Sequence, residues 1–256
     1  MVKKRIIGVI TVKNGLAVQS FGYSDYLPIG KPECLIQNLD RWGADEILIQ
    51  VIDRSINNLG PDFDLLNNIG KLKISTPIIY CGGIRNYSDS IEVIKHGADR
   101  IVLDYLFRKN KEEVNKISKN LGSQAIIASI PIIKKNNEIL FYNYDSKENQ
   151  KMESDFIKTI TDKNLISEIL LINKESEGYS NSFNSELISL FPKTNLSLIP
   201  FGGISESDQI KKILSFENVS AVGIGNFLNY KEHAVQSIKE SINSNYLRKP
   251  TFSSTI

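Results

Sequence analysis

Short runs of Ile, Val and Leu alternate along the chain with segments whose apolar residues recur at helical spacing. Residues 6–11, 46–52, 77–81, 100–103, 125–130, 168–172, 196–201 and 221–225 are near-continuous apolar runs, the pattern of parallel strands buried on both faces. Helical spacing fills the intervals at 32–41, 62–72, 88–95, 111–120, 154–164, 185–191, 206–215 and 232–243. Asp62, Ser88, Ser154 and Ser205 stand where helices should start and can cap free N–H groups, and Gly122 closes the fourth helix. Eight strand–helix units in 256 residues predict an α/β fold of the closed (β/α)8 type, since an open doubly wound sheet uses fewer strands. The polar stretch 134–152 reads as a long loop after strand five, carrying a small hairpin through 139–144. No Pro-, Ser- or Gly-rich linker interrupts the pattern, so one barrel domain over 1–256 is expected, with a tail at 247–256.

The pattern repeats. Two apolar runs end in Gly-Gly-Ile, at Gly82-Gly83-Ile84 and Gly202-Gly203-Ile204, and lie 120 positions apart. The same shift lays Arg5-Ile6-Ile7-Gly8 on Ala125-Ile126-Ile127-Ala128, and Glu46-Ile47-Leu48 meets Glu168-Ile169-Leu170 at 122. Two half-barrels of about 1–122 and 123–246 follow from these offsets.

Glycines between a buried strand and a helix leave backbone N–H groups bare, at a place where the helix also points its positive end. Gly202-Gly203 with Gly225-Asn226 therefore form a candidate phosphate cup at the C-terminal face, after strands seven and eight. By the repeat, Gly82-Gly83 with Asp104-Tyr105 should form a second one, provided Asp104 is protonated or neutralised by a nearby cation such as Arg85. Two cups suit a substrate with a phosphate at each end. The plainer reading is that these glycines only make tight turns.

Composition narrows the chemistry further. With 31 basic and 29 acidic residues, and no basic run longer than Lys3-Lys4-Arg5, a nucleic-acid surface is not expected. Cys34 and Cys81, His96 and His233 lack the spacing of a metal site, and no cofactor motif is present, so neither metal nor cofactor is expected. No stretch reaches the run of about 18 apolar residues that spans a membrane, and a cytoplasmic protein is expected.

Lys4-Arg5-Ile6-Ile7, Val12-Lys13-Asn14-Gly15, Gly43-Ala44-Asp45-Glu46, Gly82-Gly83-Ile84-Arg85, Gly97-Ala98-Asp99-Arg100, Gly122-Ser123-Gln124 and Gly202-Gly203 resemble, in order and spacing, the cyclase subunit of imidazole glycerol phosphate synthase. The resemblance covers nearly the whole chain. It implies a barrel that takes ammonia from a separate glutaminase subunit docked under it and leads the ammonia through the core to a phosphorylated substrate. A four-residue ionic gate at the barrel floor would then be Arg5, Glu46, Arg100 and Glu168, with Asp99 and Gln124 near the partner interface.

At the other face the resemblance fails. The family's two catalytic aspartates fall at Thr11 and Pro131, its strand-one lysine at Gln19 and its strand-two aspartate at Val51. Neither Thr11 nor Pro131 can act as a general acid or base near neutral pH. The pattern is similar to that of cyclase-like paralogues associated with acetamidino groups on surface-polysaccharide sugars. A conduit of that kind would deliver ammonia to a separate ATP-using enzyme acting on a phosphorylated or nucleotide-linked sugar. A second reading keeps the histidine-pathway cyclase reaction, with Asp53 or Glu177 as substitute carboxylates. A third is a non-catalytic scaffold that activates the glutaminase.

Overall fold

The computed structural model describes residues 3–229 and 231–251. Its strands are β1 (Arg5–Lys13), β2 (Leu16–Phe21), β3 (Asp25–Gly30), β4 (Glu46–Val51), β5 (Ile78–Cys81), β6 (Arg100–Leu103), β7 (Ile126–Lys135), β8 (Glu138–Asn143), β9 (Glu148–Gln150), β10 (Glu168–Asn173), β11 (Ser197–Phe201) and β12 (Ala221–Ile224). Strands β1, β4, β5, β6, β7, β10 and β11 pair in parallel in that order, and β12 pairs in parallel with β1. The turn into β12 joins β11 through the Leu198–Val219 bridge and the Ser220 N–H donated to the Leu198 carbonyl at 3.1 Å. These contacts close the predicted (β/α)8 barrel, and each of the eight expected strands has its counterpart.

Side chains alternate across a strand, so residues of one parity face the bore and the others face the helices. The inward set Ile7, Val9, Leu48, Ile79, Val102, Ile127, Leu170, Ile172, Ile199, Phe201 and Ala221 packs as a separate apolar cluster inside the barrel. The outward set joins the helices in the larger core.

Each half opens on a long strand that outruns the barrel and folds back on itself. β1 turns through Asn14-Gly15 into β2, and β7 turns through Asn136-Asn137 into β8. All four turn residues have positive φ, between 47° and 74°, as a two-residue hairpin turn matching the strand twist requires. A hairpin is therefore present after strand five, but its turn lies at Asn136-Asn137, and the segment expected to form it is mostly one strand, β8, paired with β7 on one side and β9 on the other. The hairpin after strand one goes beyond the predicted elements, although Asn14-Gly15 is a strong signal for it.

Helix starts follow the capping chemistry with some differences from expectation. Asp62 accepts from the Leu65 N–H and caps its helix as expected. The helix Tyr87–Lys95 is capped by Asn86, which accepts from the Asp89 N–H, and not by Ser88. Ser154 lies inside the helix Ser154–Ile160, whose cap residue Glu153 makes no side-chain bond. Ser205 does not cap Ser207–Leu214, because its hydroxyl accepts from the Asn181 N–H at 2.8 Å and meets Ser180 Oγ. The start of the tail is held: the Arg248 N–H donates to the Lys4 carbonyl, and Gln236 Nε2 to the Thr251 carbonyl at 3.1 Å. Residues 252–256 lie outside the described residues.

Candidate functional site

The N-terminal ends of the strands carry a closed ring of charge. Arg5 Nη1 lies 3.0 Å from Glu46 Oε2, Arg100 Nη1 3.3 Å from Glu46 Oε1 and 2.7 Å from Glu168 Oε2, and Arg5 Nη2 pairs with Glu168 Oε1. Parity places all four on the inward face, two residues below Ile7, Leu48, Val102 and Leu170. Glu46 Oε2 is out of line for a hydrogen bond to Arg5, so that contact is Coulombic. The second row is better bonded: Ser220 Oγ donates to Glu168, and Arg100 donates to Ser167 Oγ at 2.9 Å and to the Gln124 carbonyl at 3.2 Å.

The two carboxyls differ accordingly. Burial pushes the Glu46 carboxyl above its ordinary value, and the two arginines do not fully offset it. Burial acts on Glu168 too, but Arg5, Arg100 and the Ser220 hydroxyl outweigh it and hold that carboxyl below its ordinary value.

Asp99 and Gln124 flank this floor. Asp99 spends one carboxylate oxygen on the Ile78 N–H at 2.8 Å, as Asp45 does on the Ile6 N–H at 2.7 Å, so each Gly-Ala-Asp motif splices the start of one strand to its neighbour. Asp45 also holds the buried Lys239 ammonium at 2.8 Å. Gln124 contributes its carbonyl to Arg100.

At the opposite ends of the strands the bore opens into a mouth. The same inward parity that gives Arg5, Ile7 and Val9 reaches Thr11 on β1, and it leads from Glu46 and Leu48 to Gln50 on β4. The β2–β3 hairpin folds over this mouth. Tyr23, at its tip, has φ of 54°, packs against the inner apolar cluster and donates its hydroxyl to Gln50 Oε1 at 3.0 Å. A left-handed conformation is uncommon for so bulky a residue and persists where surrounding contacts enforce it. Those contacts come from the loop after β10: the Glu177 carboxylate accepts from Ser20 Oγ at 2.9 Å and the Tyr23 N–H at 3.1 Å, and its carbonyl accepts from the Gly22 N–H at 2.9 Å. Asn226 closes the clamp from the far side, donating to the Ser20 carbonyl at 2.8 Å.

Beside this clamp lies a cavity of about 220 Å³ lined by Thr11, Glu177, Gly202, Gly203, Gly225 and Asn226 among others. The structure thus brings together the whole second-half set named from the sequence and adds Glu177 to its wall. The Asn226 side chain is spent on the hairpin, so what it can offer a ligand is its backbone. Gly202 and Gly203 have φ of 99° and 87°, and a Cβ on Gly202 would lie 2.5 Å from the Asn173 carbonyl, which is why glycine stands there.

Asp53 sits apart from this cavity, on the short helix Ile52–Ile56, and accepts from the Asn14 N–H at 2.7 Å. Pro131 lies on β7 beyond Ala128, where pairing with β6 has ended and only β10 runs alongside, so its missing N–H costs no ladder bond on the β6 side.

The first-half corner is built differently. Gly82 and Gly83 keep φ of 141° and 70°, but the Gly83 N–H already donates to Ser55 Oγ at 3.2 Å. Arg85 does not meet Asp104, contrary to expectation. Its Nη2 donates to the Ser55 carbonyl at 2.8 Å, and its guanidinium lies 5.4 Å from the Tyr105 ring centre. Asp104 pairs with Arg108 at 3.3 Å, and Arg108 in turn reaches Asn143 and Asp145 of the β8 hairpin, both at 2.8 Å. Tyr142 and Tyr144 stack edge to face beside it with ring centres 5.0 Å apart. The Asp104–Arg108 pair has the i,i+4 spacing of a helix start, but nothing in the residue pattern marks its tether to Asn143 and Asp145 of the distant β8 hairpin.

Burial pushes the Glu177 carboxyl above its ordinary value of 4.5, against the bonds from Ser20, Tyr23 and Gly22. The folded chain therefore holds that proton more tightly than the unfolded chain. The stability so gained is complete below about pH 4.5 and declines as pH rises through the raised value. Glu177→Gln is expected to flatten this decline in a series of urea midpoints against pH, and an unchanged slope would assign the decline to another group.

Among the described residues no group of three or more His, Cys, Asp or Glu could hold a metal ion, and no helix is long and apolar enough to cross a membrane. The fold and site define a (β/α)8 barrel with an ionic floor and a glycine-lined mouth. The chain belongs to the histidine biosynthesis protein family, whose pattern matches residues 5–234. It is 26% identical over 240 residues to a putative imidazole glycerol phosphate synthase subunit hisF2 of Vibrio vulnificus, covering 93% of this chain and 88% of that one. It is 24% identical over 249 residues to the imidazole glycerol phosphate synthase subunit HisF of Flavobacterium psychrophilum (97% and 99% covered). To the HisF subunit of Natranaerobius thermophilus it is 27% identical over 240 residues (93% and 95% covered).

Proposed function

We propose that this cyclase-subunit-like barrel receives ammonia from a glutaminase subunit at its floor and channels it to the amidination of a sugar held by a phosphate at its mouth. The observation that carries this reading is the pairing of a complete Arg5–Glu46–Arg100–Glu168 ring with a mouth whose family aspartate positions hold Thr11 and Pro131. A ring of alternating charge resists the passage of ammonium, while a small neutral molecule can move between apolar side chains with little desolvation cost. Replacing an amide oxygen by ammonia requires activation of the amide, and no ATP-binding motif is present in this chain, so the activating enzyme is a further partner. Asp99 and Gln124 belong to the floor surface that would meet the glutaminase, and Gly202, Gly203, Gly225 and Asn226 to the phosphate cup.

A second reading is favoured by Glu177, a carboxyl on the wall of the cavity whose pKa burial raises above its ordinary value, the direction an acid–base group working near neutral pH calls for. Complementation separates the two. Expressed in a histidine auxotroph that lacks its cyclase subunit, the chain is expected to give no growth without histidine. Reconstituted with its glutaminase and an ATP-using sugar amidinase, it is expected to move label from amide-labelled glutamine into the acetamidino product. Growth without histidine would overturn the channelling reading in favour of the cyclase.

A further inference from the structure

The hairpins that follow the first strand of each half meet over the mouth. An offset of 122, the one that joins Glu46 to Glu168, also lays Asn14-Gly15 on Asn136-Asn137. It brings the tip of the β2–β3 hairpin, residues 22–24, onto the turn between β8 and β9, residues 144–147. Tyr23 and Tyr144 are thus equivalent to within one residue. Their rings touch edge to face with centres 5.9 Å apart, an arrangement that aromatic quadrupoles favour. Tyr142, on β8, continues the stack at 5.0 Å from Tyr144.

This pair covers one side of the bore. Inward parity ends at Gln50 on β4, at Cys81 on β5 and at Asp104 just past β6. Tyr23 donates to Gln50 Oε1 and packs beside Cys81 on the inner apolar cluster, and Tyr144 lies close enough to Asp104, Glu177 and Cys81 to feel their charges. Burial pushes both phenols well above their ordinary value of 10. On the other side, over β1, β11 and β12, the bore ends at Thr11 and Phe201, which line the cavity of about 220 Å³. No member of the inner cluster is more than 3% exposed, so the bore is shut to water above as well as below.

Each hairpin is anchored on its own side of the mouth. Glu177 holds the Tyr23 N–H, while Arg108 reaches Asn143 and Asp145 at 2.8 Å and Lys109 stands 3.8 Å from Asp145. Across the seam the link is Lys174. Its position two residues after Ile172, on the inward face of β10, carries it up between the hairpins. There Nζ donates to the Gly22 carbonyl at 3.3 Å and lies 4.4 Å from the Tyr142 ring centre, where the ring quadrupole attracts an ammonium. One side chain ties the tip of the first hairpin to the body of the second.

We propose that the paired hairpin tips form a gate at the exit of the bore, opposite the ionic floor, with Tyr23 and Tyr144 as its leaves and Lys174 as the latch between them. The closure stands on its own geometry; that ammonia is what waits beneath it rests on the channelling reading above.

Cys81 reports on the gate, since it lies under the two tips, where burial raises its thiol to about 12 and keeps it from forming the reactive thiolate. With the exposed Cys34 changed to serine, iodoacetamide is expected to modify Cys81 slowly in the parent, at a rate that low urea leaves unchanged, as local opening requires. Lys174→Met and Tyr144→Ala are each expected to raise that rate roughly tenfold, with a thermal melt beside each to show that the chain is folded. Modification of Cys81 in the parent as fast as that of Cys34 in the unsubstituted chain, or unchanged rates in both variants, would overturn the gate. A rise in Tyr144→Ala alone would overturn Lys174 as its latch.

The cargo is tested separately. The complex with the glutaminase and the ATP-using amidinase is given amide-labelled glutamine beside excess unlabelled ammonium. The parent is expected to form labelled product, and Lys174→Met product diluted by the bulk ammonium. Diluted product from the parent would overturn the channelling reading, while the Cys81 rates still decide the gate. Faster Cys81 modification with undiluted product in Lys174→Met would place the tips off the ammonia route and overturn the exit assignment.

Discussion

Glu168→Gln is expected to destabilise the chain by roughly 3 kcal/mol, against roughly 1 kcal/mol for Glu46→Gln, although both glutamates face the same two arginines. The difference follows from how each carboxylate is supported. Glu168 is ionised in the folded chain because Arg5, Arg100 and the Ser220 hydroxyl overcome its burial, so removing its charge strands two guanidinium groups that are only 14% exposed. Glu46 lacks a hydroxyl partner and has one oxygen outside hydrogen-bonding geometry, and burial already works against its charge. For a chain of this size, 3 kcal/mol corresponds to a fall in Tm of about 6–12 °C.

The pH dependence carries the same signature. The Glu168 contribution is complete above the ordinary value of 4.5 and is lost as pH falls through its lowered pKa, so Glu168→Gln should cost more stability at pH 7 than near pH 3. The sign for Glu46 is opposite: its raised pKa costs stability as pH rises above 4.5, which makes Glu46→Gln comparatively benign at neutral pH. Thermal melts of both variants at the two pH values check this. Equal losses at pH 7 would mean that the ring is a symmetric network and that Ser220 does not distinguish its members.

The strands were legible because burial on both faces leaves a run of Ile, Val and Leu that few other environments produce. The floor ring was read from the resemblance to the cyclase subunit, and strand parity agrees with it: the register that carries Ile7, Leu48, Val102 and Leu170 points Arg5, Glu46, Arg100 and Glu168 inward. The mouth was less so. The second-half cavity could be foreseen from glycines whose φ values only glycine adopts easily, but Tyr23, Glu177 and Asn226 meet there from three loops whose approach no local pattern encodes. The same holds for the Asp104–Arg108–Asp145 cluster, where an i,i+4 pair was readable in principle and its tether to the β8 hairpin was not. The β1–β2 turn that leads into the hairpin over the mouth is a different case, since Asn14-Gly15 marks it in the residues themselves.

Gly178→Ala is expected to cost roughly 3–4 kcal/mol and to lift that hairpin from the mouth. Gly178 has φ of 88°, and a Cβ there would stand 2.0 Å from the Ser20 carbonyl oxygen and 2.9 Å from the Phe21 Cα, both of them backbone atoms that no rotamer change can move away. The backbone conformation alone penalises alanine by about 1–2 kcal/mol. Relief of the overlap must separate the loop after β10 from β2, and this loosens the bonds that Glu177 receives from Ser20, Gly22 and Tyr23 together with the Asn226 bond to Ser20. Each such hydrogen bond contributes about 0.5–1.5 kcal/mol net, and one displacement weakens them together. Tyr23 would then have no reason to keep its left-handed conformation, and its ring would leave the upper end of the inner apolar cluster. Hydrogen exchange reads this directly: the Gly22 and Tyr23 amides, each held by Glu177 in the parent protein, should exchange at least tenfold faster in the variant, while amides in β4 and β10 keep their protection relative to the shifted global stability. A variant with unchanged Tm and unchanged protection at Tyr23 would show that the hairpin does not depend on its contact with Gly178, and that the mouth is open in solution.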